Sequence, residues 1–279
     1  MGEGTLFVVA TPIGHLGDIT VRARQVLGTV HAIFAEDTRQ TRKLLDLLGI
    51  APPPLFSMHE HSGSGAIESA LERLRRGEQI ALVSDAGTPL LSDPGAPLVR
   101  AARSERHSVR SVPGASAVAA ALSVTGLGDG RFRFLGFLPR EGPERRDGIT
   151  CCAETQETVV LYEAPHRLTA TLRDLAEAMG DRQAVILREL TKLHEEHISG
   201  TLDELANLDR AWLGEVVLVL APWNAKGREE AITDDAVDAR IDELYAKGER
   251  AKRISDLLEA WCGRPKRQLY ERVVSRKPR

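Results

Sequence analysis

QIALVSDAGTPLLSDPG, residues 79–95, passes from a buried strand to a helix through two tight turns. Ile80, Ala81, Leu82 and Val83 form a short apolar run closed by Ser84, the pattern of a buried strand. Asp85-Ala86-Gly87-Thr88-Pro89 follows; Gly87 admits positive φ or a close backbone approach, and Pro89 fixes the exit. Ser92-Asp93-Pro94-Gly95 is a second turn, with Pro94 suited to the first turn of an apolar helix over 96–102. Strand, stiff loop and helix in this order set backbone groups at the carboxyl end of a sheet, where open α/β domains bind small ligands. A single loop of this kind can equally be a structural turn. Three more in the same chain favour a ligand site.

The alternation continues on both sides. Thr5–Ala10 and Val30–Ala35 read as strands that end in Thr11-Pro12-Ile13-Gly14 and Glu36-Asp37-Thr38. Asp18 or Thr20 can cap a helix over 21–29, and a helix over 39–48 is closed by Gly49. A short strand over 55–58, a helix over 66–75 and a strand over 108–112 follow, the last running into Pro113-Gly114-Ala115-Ser116-Ala117 and a small-residue helix. This βαβα order predicts a largely parallel sheet. A second α/β unit begins near Arg131, with strands over 132–137, 158–162, 184–187, 197–200 and 216–220 and a helix over 168–179. Glu141–Gly148 reads as a loop, and Thr201 with Glu204 as a capping box. A polar linker over 226–235 leads to two helices and a possible third after Pro265. The expected class is α/β: domains over 1–126 and 127–225, then a small basic helical domain over 231–279.

Composition bounds the function. The chain has 279 residues, 42% hydrophobic and 28% charged, as in soluble globular proteins. Cys151 and Cys152 are adjacent and Cys262 is remote, which argues against a disulfide framework and for a reducing cytoplasm. No apolar run reaches membrane-spanning length, and no signal peptide precedes the first strand. The net charge of −3 is uneven: residues 247–279 hold eleven Lys/Arg against four Asp/Glu, a balance of +7, which leaves −10 for the rest. A basic tail on an acidic body suits a polyanionic partner, or is simply a solvated helical surface.

Several chemistries are excluded. The chain lacks GxxxxGK[ST], a GxGxxG after its first strand, and GxSxG. His59-Glu60-His61 and His194-Glu195-Glu196-His197 do not reach the three or four ligands of a metal site, so no metal is expected. What remains are strand-terminating loops: Thr11–Gly14, Ser84–Pro89, Pro113–Ala117 and Tyr162–Pro165. Their backbone groups and the Ser116 and Thr88 hydroxyls can hold a polar, zwitterionic small molecule.

VATPIGHLGDIT, FAEDTRQTRKLL, LVSDAGTPLLSDPG, VPGASAV, FLGFLPR, LYEAPHRL, RELTKLHEE and GEVVLVL, in this order along nearly the whole chain, resemble the bacterial small-subunit rRNA cytidine-2′-O-ribose methyltransferases of the tetrapyrrole-methylase superfamily. The resemblance implies S-adenosyl-L-methionine (AdoMet) as methyl donor, held in a cleft between the two α/β domains, and a homodimer acting on 16S rRNA within the 30S subunit. It implies cofactor contacts from Pro12, from Ser84, Asp85, Ala86, Gly87, Leu90 and Leu91, and from Pro113, Ser116 and Ala117. It adds Tyr162, Glu163, Glu189 and Leu190 from the second domain. His15, Ser62-Gly63 and Ala164 depart from the family's usual Asn, Asn-Glu and Ser.

A ribose hydroxyl is a poor nucleophile at neutral pH, so a proton acceptor is required. Glu36, Asp37, Asp18 and Glu195 are the candidates, with a helix N-cap as the alternative role for the Glu36-Asp37-Thr38 turn. Arg39, Arg42 and Lys43 at one helix start, and Lys266 and Arg267 in the tail, are candidate RNA-phosphate contacts. Methylation of a tetrapyrrole on the same fold is the alternative enzyme, which the basic tail disfavours. A non-catalytic rRNA-binding protein is the other alternative, which the intact cofactor loops disfavour.

Overall fold

The computed structural model describes residues 4–58, 64–223, 234–246, 249–262 and 266–276. The 59–63 segment, with the His59-Glu60-His61 cluster and Ser62-Gly63, and the linker over 226–233 lie outside the described residues. The chain divides into two compact units, 1–223 and 224–279.

The first unit holds two five-stranded sheets. Strands β1 (Thr5–Val9), β2 (Ala32–Ala35), β3 (Leu55–Ser57), β4 (Gln79–Val83) and β5 (Ser108–Val112) form the first, in the order β3-β2-β4-β1-β5. Every pairing is parallel. Helices α1 (Val21–Thr29), α2 (Thr38–Leu48), α3 (Ser64–Arg75) and α4 (Ala96–Ser104) are the crossovers. They cover both faces, so the strands are apolar throughout rather than alternating. Leu6, Phe34, Leu74, Ile80 and Leu98 pack on one face. Val9, Leu27, Ile33, Leu45 and Val83 pack on the other. Thr20, not Asp18, caps α1, accepting the Ala23 N–H at 3.1 Å.

The second sheet comprises β6 (Phe132–Phe137), β7 (Thr158–Glu163), β8 (Gln183–Arg188), β9 (Glu196–Thr201) and β10 (Val216–Leu220), ordered β6-β7-β10-β8-β9. Only β6 and β7 are parallel; β10 runs antiparallel to both β7 and β8. α5 (Ala117–Thr125) packs its small face, Val118 and Ala121, against Val160, Val185, Val217 and Val219 of this sheet. α7 (Pro165–Met179) and α8 (Leu202–Ala206) complete the layer, and the Thr201/Glu204 capping box is present on α8.

Glu141–Gly148, expected as a loop, lies within a helix, α6 (Gly142–Glu154). The apolar spacing that marks a helix is weak here because a polar side chain fills the inner face. Arg145 is 9% exposed, and it donates to Asp174 at 2.6 Å, to the Thr171 hydroxyl at 3.1 Å and to the Pro139 carbonyl at 3.0 Å.

The second unit contains α9 (Asp234–Ala246), α10 (Ala251–Cys262) and α11 (Lys266–Ser275) around Val237, Ile241, Leu244, Ile254, Leu258, Leu269 and Val273. The tail's basic charge is partly consumed at home. Arg272 pairs with Asp238 at 2.6 Å, and Arg276 pairs with Asp242 at 2.6 Å and Asp238 at 3.0 Å. Among the described residues, no helix is long and apolar enough to cross a membrane.

Candidate active site

β1 and β4 are neighbours, so their terminal loops meet. Thr11 and Gly87 exchange backbone hydrogen bonds, 2.9 Å from the Thr11 N–H to the Gly87 carbonyl and 3.1 Å in return. Gly87 has φ +80°, and a Cβ there would lie 3.2 Å from the Ile13 side chain, so only glycine fits without displacing that neighbour. Across from this junction, β6 bulges between Phe134 and Gly136. Gly136 has φ +63°, and a Cβ there would lie 2.6 Å from the Ser92 hydroxyl. The 84–95 loop therefore touches the second sheet directly.

Between these loops lies a cavity of about 320 Å³, in the size range of small-molecule sites. Of the residues expected to contact a cofactor, Ala86, Gly87, Leu91, Ser116, Ala117, Tyr162, Glu163 and Leu190 line it. Pro12, Ser84, Asp85, Leu90, Pro113 and Glu189 are not among the lining residues. Ser84 is buried behind the wall, Leu90 packs against the first sheet's core, and Glu189 accepts from Lys192 at 2.8 Å and the Glu215 N–H at 2.9 Å. The Thr88 hydroxyl donates to the Ala115 carbonyl at 3.0 Å, tying the second loop to the third. α5 and α7 open on the cavity at Ser116 and Ala164, and neither start carries a side-chain cap. The first-turn N–H groups of α5 are donors for an anionic group, whereas α7 begins with Pro165, which has no N–H, and its Ala164 N–H is taken by Glu163.

The electrostatics are uneven. Glu163, 2% exposed, accepts from the Thr171 hydroxyl at 2.5 Å and the Ala164 N–H at 2.8 Å, with Arg167 at 3.3 Å. Tyr162 is held edge-on between Phe134 and Phe137, and burial pushes its phenol up to about 12. Asp93 lines the cavity, and burial, with Glu36 nearby, pushes its carboxyl up to about 6. Burial, followed by the neighbouring Asp85 charge, also raises Glu36.

The expected proton acceptors do not gather at the cavity wall. Asp37 caps α2, accepting the Arg39 N–H at 2.8 Å, and pairs with the Arg39 guanidinium at 2.6 Å, which pulls its carboxyl down to about 2. Asp18 sits in an exposed single turn, Leu16–Asp18. Glu195 holds its own loop, accepting the Thr191 N–H at 2.5 Å and contacting His197 Nε2 at 2.9 Å. Glu196 pairs with Arg188 and Arg210. Among the described residues, no group of three or more metal-ligating side chains gathers. Arg39, Arg42 and Lys43 line one groove on α2 together with Asp46. Because Arg39 is 89% exposed in its pair with Asp37, and Asn caps a helix about as well as Asp, Asp37→Asn should leave the thermal midpoint nearly unchanged. Transfer rates should stay within a few-fold in a single-turnover assay; a 100-fold loss would restore Asp37 as a reacting group.

Sequence reasoning passed over Asp93, Phe137 and Gly214–Val217, all of which line the cavity. Gly214–Val217 escaped notice because β10 is antiparallel: Val216 pairs with Glu163 and Arg188, so the start of β10 lies beside the ends of its neighbours. Asp93 stood in a turn that reads as punctuation.

The family model described as "Tetrapyrrole (Corrin/Porphyrin) Methylases" matches residues 5–206. The chain is 44% identical over 272 residues to a ribosomal RNA small subunit methyltransferase I of Xylella fastidiosa, covering 96% of this chain and 98% of that one. It is 42% identical over 281 residues to a protein of the same name from Pseudomonas aeruginosa, with 99% of each covered. Its fold is similar to uroporphyrin-III C-methyltransferase from Thermus thermophilus complexed with S-adenyl homocysteine: TM-score 0.55, 17% identity, 78% of this chain and 96% of that chain covered.

Proposed function

The chain belongs to the tetrapyrrole (corrin/porphyrin) methylase family, and from that premise we propose that it is an AdoMet-dependent methyltransferase of small-subunit ribosomal RNA. The observation that carries this reading is the extent of the likeness. The family match ends at residue 206, whereas the ribosomal relatives cover 96–99% of the chain and so take in the helical unit beyond 223. The finer reading is that the acceptor is the 2′-hydroxyl of a cytidine ribose in 16S rRNA, presented on the 30S subunit to a cytoplasmic homodimer.

The residues at the cavity fit such a cofactor. The open start of α5 and the Ser116 hydroxyl would hold its carboxylate, and Ile13, Leu187, Leu190 and Val217 offer an apolar wall for the adenine. When bound, AdoMet supplies an electrophilic methyl group on a sulfonium. The protein must then align the ribose, exclude water and take a proton. The groove of Arg39, Arg42 and Lys43 would position phosphates without reading sequence.

The test is incubation with methyl-labelled AdoMet and either unmodified 30S subunits or uroporphyrinogen III. Label in 16S rRNA, recovered by nuclease digestion as 2′-O-methylcytidine, is the expected result. Label in the tetrapyrrole alone would sink the reading.

A further inference from the structure

Resting on the reading of the chain as a ribose methyltransferase, we propose that Asp93 is the catalytic base, the carboxylate that takes the proton from the attacking ribose hydroxyl. Access to the cavity singles it out. Among the described residues, the carboxylates that line the cavity are Asp93, Glu163 and Glu215. Glu163 has its oxygens committed to the Thr171 hydroxyl, the Ala164 N–H and Arg167, and it is 2% exposed. Glu215 is paired with Lys192 at 3.0 Å. Asp93 has no cationic partner among the described residues; the groups that act on it are Ser84 and two further carboxylates.

The loop is built to present it. Leu90 and Ser92 both adopt left-handed backbone, φ +76° and +69°, although neither is glycine. Such strain persists only where the surroundings impose it. Here Leu90 is anchored in the first sheet's core, and Ser92 faces Gly136 of the second sheet. Gly95, at φ +115°, closes the turn. Asp93 is thereby held between the two sheets.

Glu36 from the end of β2, Asp85 from the end of β4 and Tyr162 from β7 are the titratable groups that face Asp93. Tyr162 is uncharged at neutral pH, but Glu36 and Asp85 are carboxylates, so the ionised Asp93 is raised in energy and more basic than an ordinary aspartate. Burial, then the Glu36 and Asp85 charges, push its pKa up to about 6, close to the pH at which a general base works best. The Ser84 hydroxyl lies within reach of both the Asp93 carboxylate and the Ala86 carbonyl, the latter at 3.3 Å. With one proton to give, it can serve the carboxylate before transfer and the carbonyl afterwards. In the step itself the ribose oxygen bonds to the methyl carbon. The carbon–sulfur bond breaks with its electron pair left on sulfur, and the hydroxyl proton passes to Asp93.

Single-turnover transfer to 30S subunits is measured for the full chain and for Asp93→Asn, with AdoMet binding followed by calorimetry. The variant should bind AdoMet within about three-fold of the wild type and transfer methyl about 100-fold or more slowly. Its residual rate should rise with hydroxide, while the wild-type rate is flat above an acid limb at or below pH 6. Wild-type chain that labels no 30S subunits removes the acceptor reading and this assignment together. Wild-type chain that labels them while Asp93→Asn keeps pace, or is slowed only through weaker AdoMet binding, removes the assignment alone. If Asp93→Asn does not fold, Ser84→Ala decides. Losing a donor to the ionised carboxylate raises its pKa, so the acid limb should move to higher pH; an unmoved or absent limb overturns the proposal.

Discussion

A chain ending at Trp223 should bind AdoMet as the full chain does and methylate 30S subunits roughly 100-fold or more slowly at physiological salt. The first unit is compact by itself and contains both sheets and, among the described residues, all those that line the cavity. Losing the helical unit therefore leaves the cofactor wall untouched. What goes is a set of exposed cations, Lys252 and Arg253 on α10 and Lys266 and Arg267 on α11. At a salt exponent near 0.9 per neutralised phosphate, four contacts contribute about 100- to 1000-fold in affinity at 0.15 M salt relative to 1 M. The second readout is the salt series, in which the slope of log affinity against log salt should become shallower after truncation. Equal transfer rates from 50 to 300 mM salt would show that the helical unit does not anchor the substrate.

Arg182→Met should lower the stability of the first unit by about 3 kcal/mol, at roughly 1 kcal/mol for each of three buried or partly buried hydrogen bonds lost. Arg182 is 1% exposed and has no carboxylate partner among the described residues. Its guanidinium donates to the carbonyls of Ala221 at 2.8 Å, Cys152 at 2.6 Å and Glu157 at 3.2 Å. It thus ties the end of α6, the approach to β7 and the exit of β10 at one point. Burial pulls its pKa down to about 10, which still leaves it charged at neutral pH. Methionine keeps most of the volume but supplies no donor, so three carbonyls lose their Arg182 partner, that of Cys152 in a buried position and those of Ala221 and Glu157 in partly buried ones. At 2–4 °C per kcal/mol for a unit of this size, the midpoint should fall by roughly 6–12 °C in a thermal melt. A change under about 2 °C would mean that water replaces the guanidinium.

The first sheet is legible in the sequence because both its faces are covered. Ile80–Val83 and Ala32–Ala35 are unbroken apolar runs, each ended by a polar residue at the ligand edge. β10 is legible to the residue, as Val216–Leu220, for the same reason. α6 is hidden because its inner face is anchored by Arg145 rather than by apolar spacing. The cavity's fourth wall is hidden because strand direction is a tertiary fact: nothing within GEVVLVL says that it runs opposite to its neighbours. The standing of each carboxylate is hidden for a related reason. Asp37 and Asp93 look alike as letters, yet one is neutralised by a guanidinium two residues on and the other is crowded by acids from other strands.

The pairing of Arg272 and Arg276 with Asp238 and Asp242 changes how the helical unit meets a polyanion. Residues 247–279 alone carry +7, but over 234–279 there are twelve Lys/Arg against nine Asp/Glu, a balance of +3. The acids are concentrated on α9, where Asp234, Asp235, Asp238, Asp242 and Glu243 stand. The unit's attraction for a polyphosphate is therefore short-ranged: beyond a Debye length of about 8 Å the small net charge is screened. Inside that distance the exposed cations of α10 and α11 act one by one, while a phosphate recruits Arg272 or Arg276 only by displacing Asp238 or Asp242.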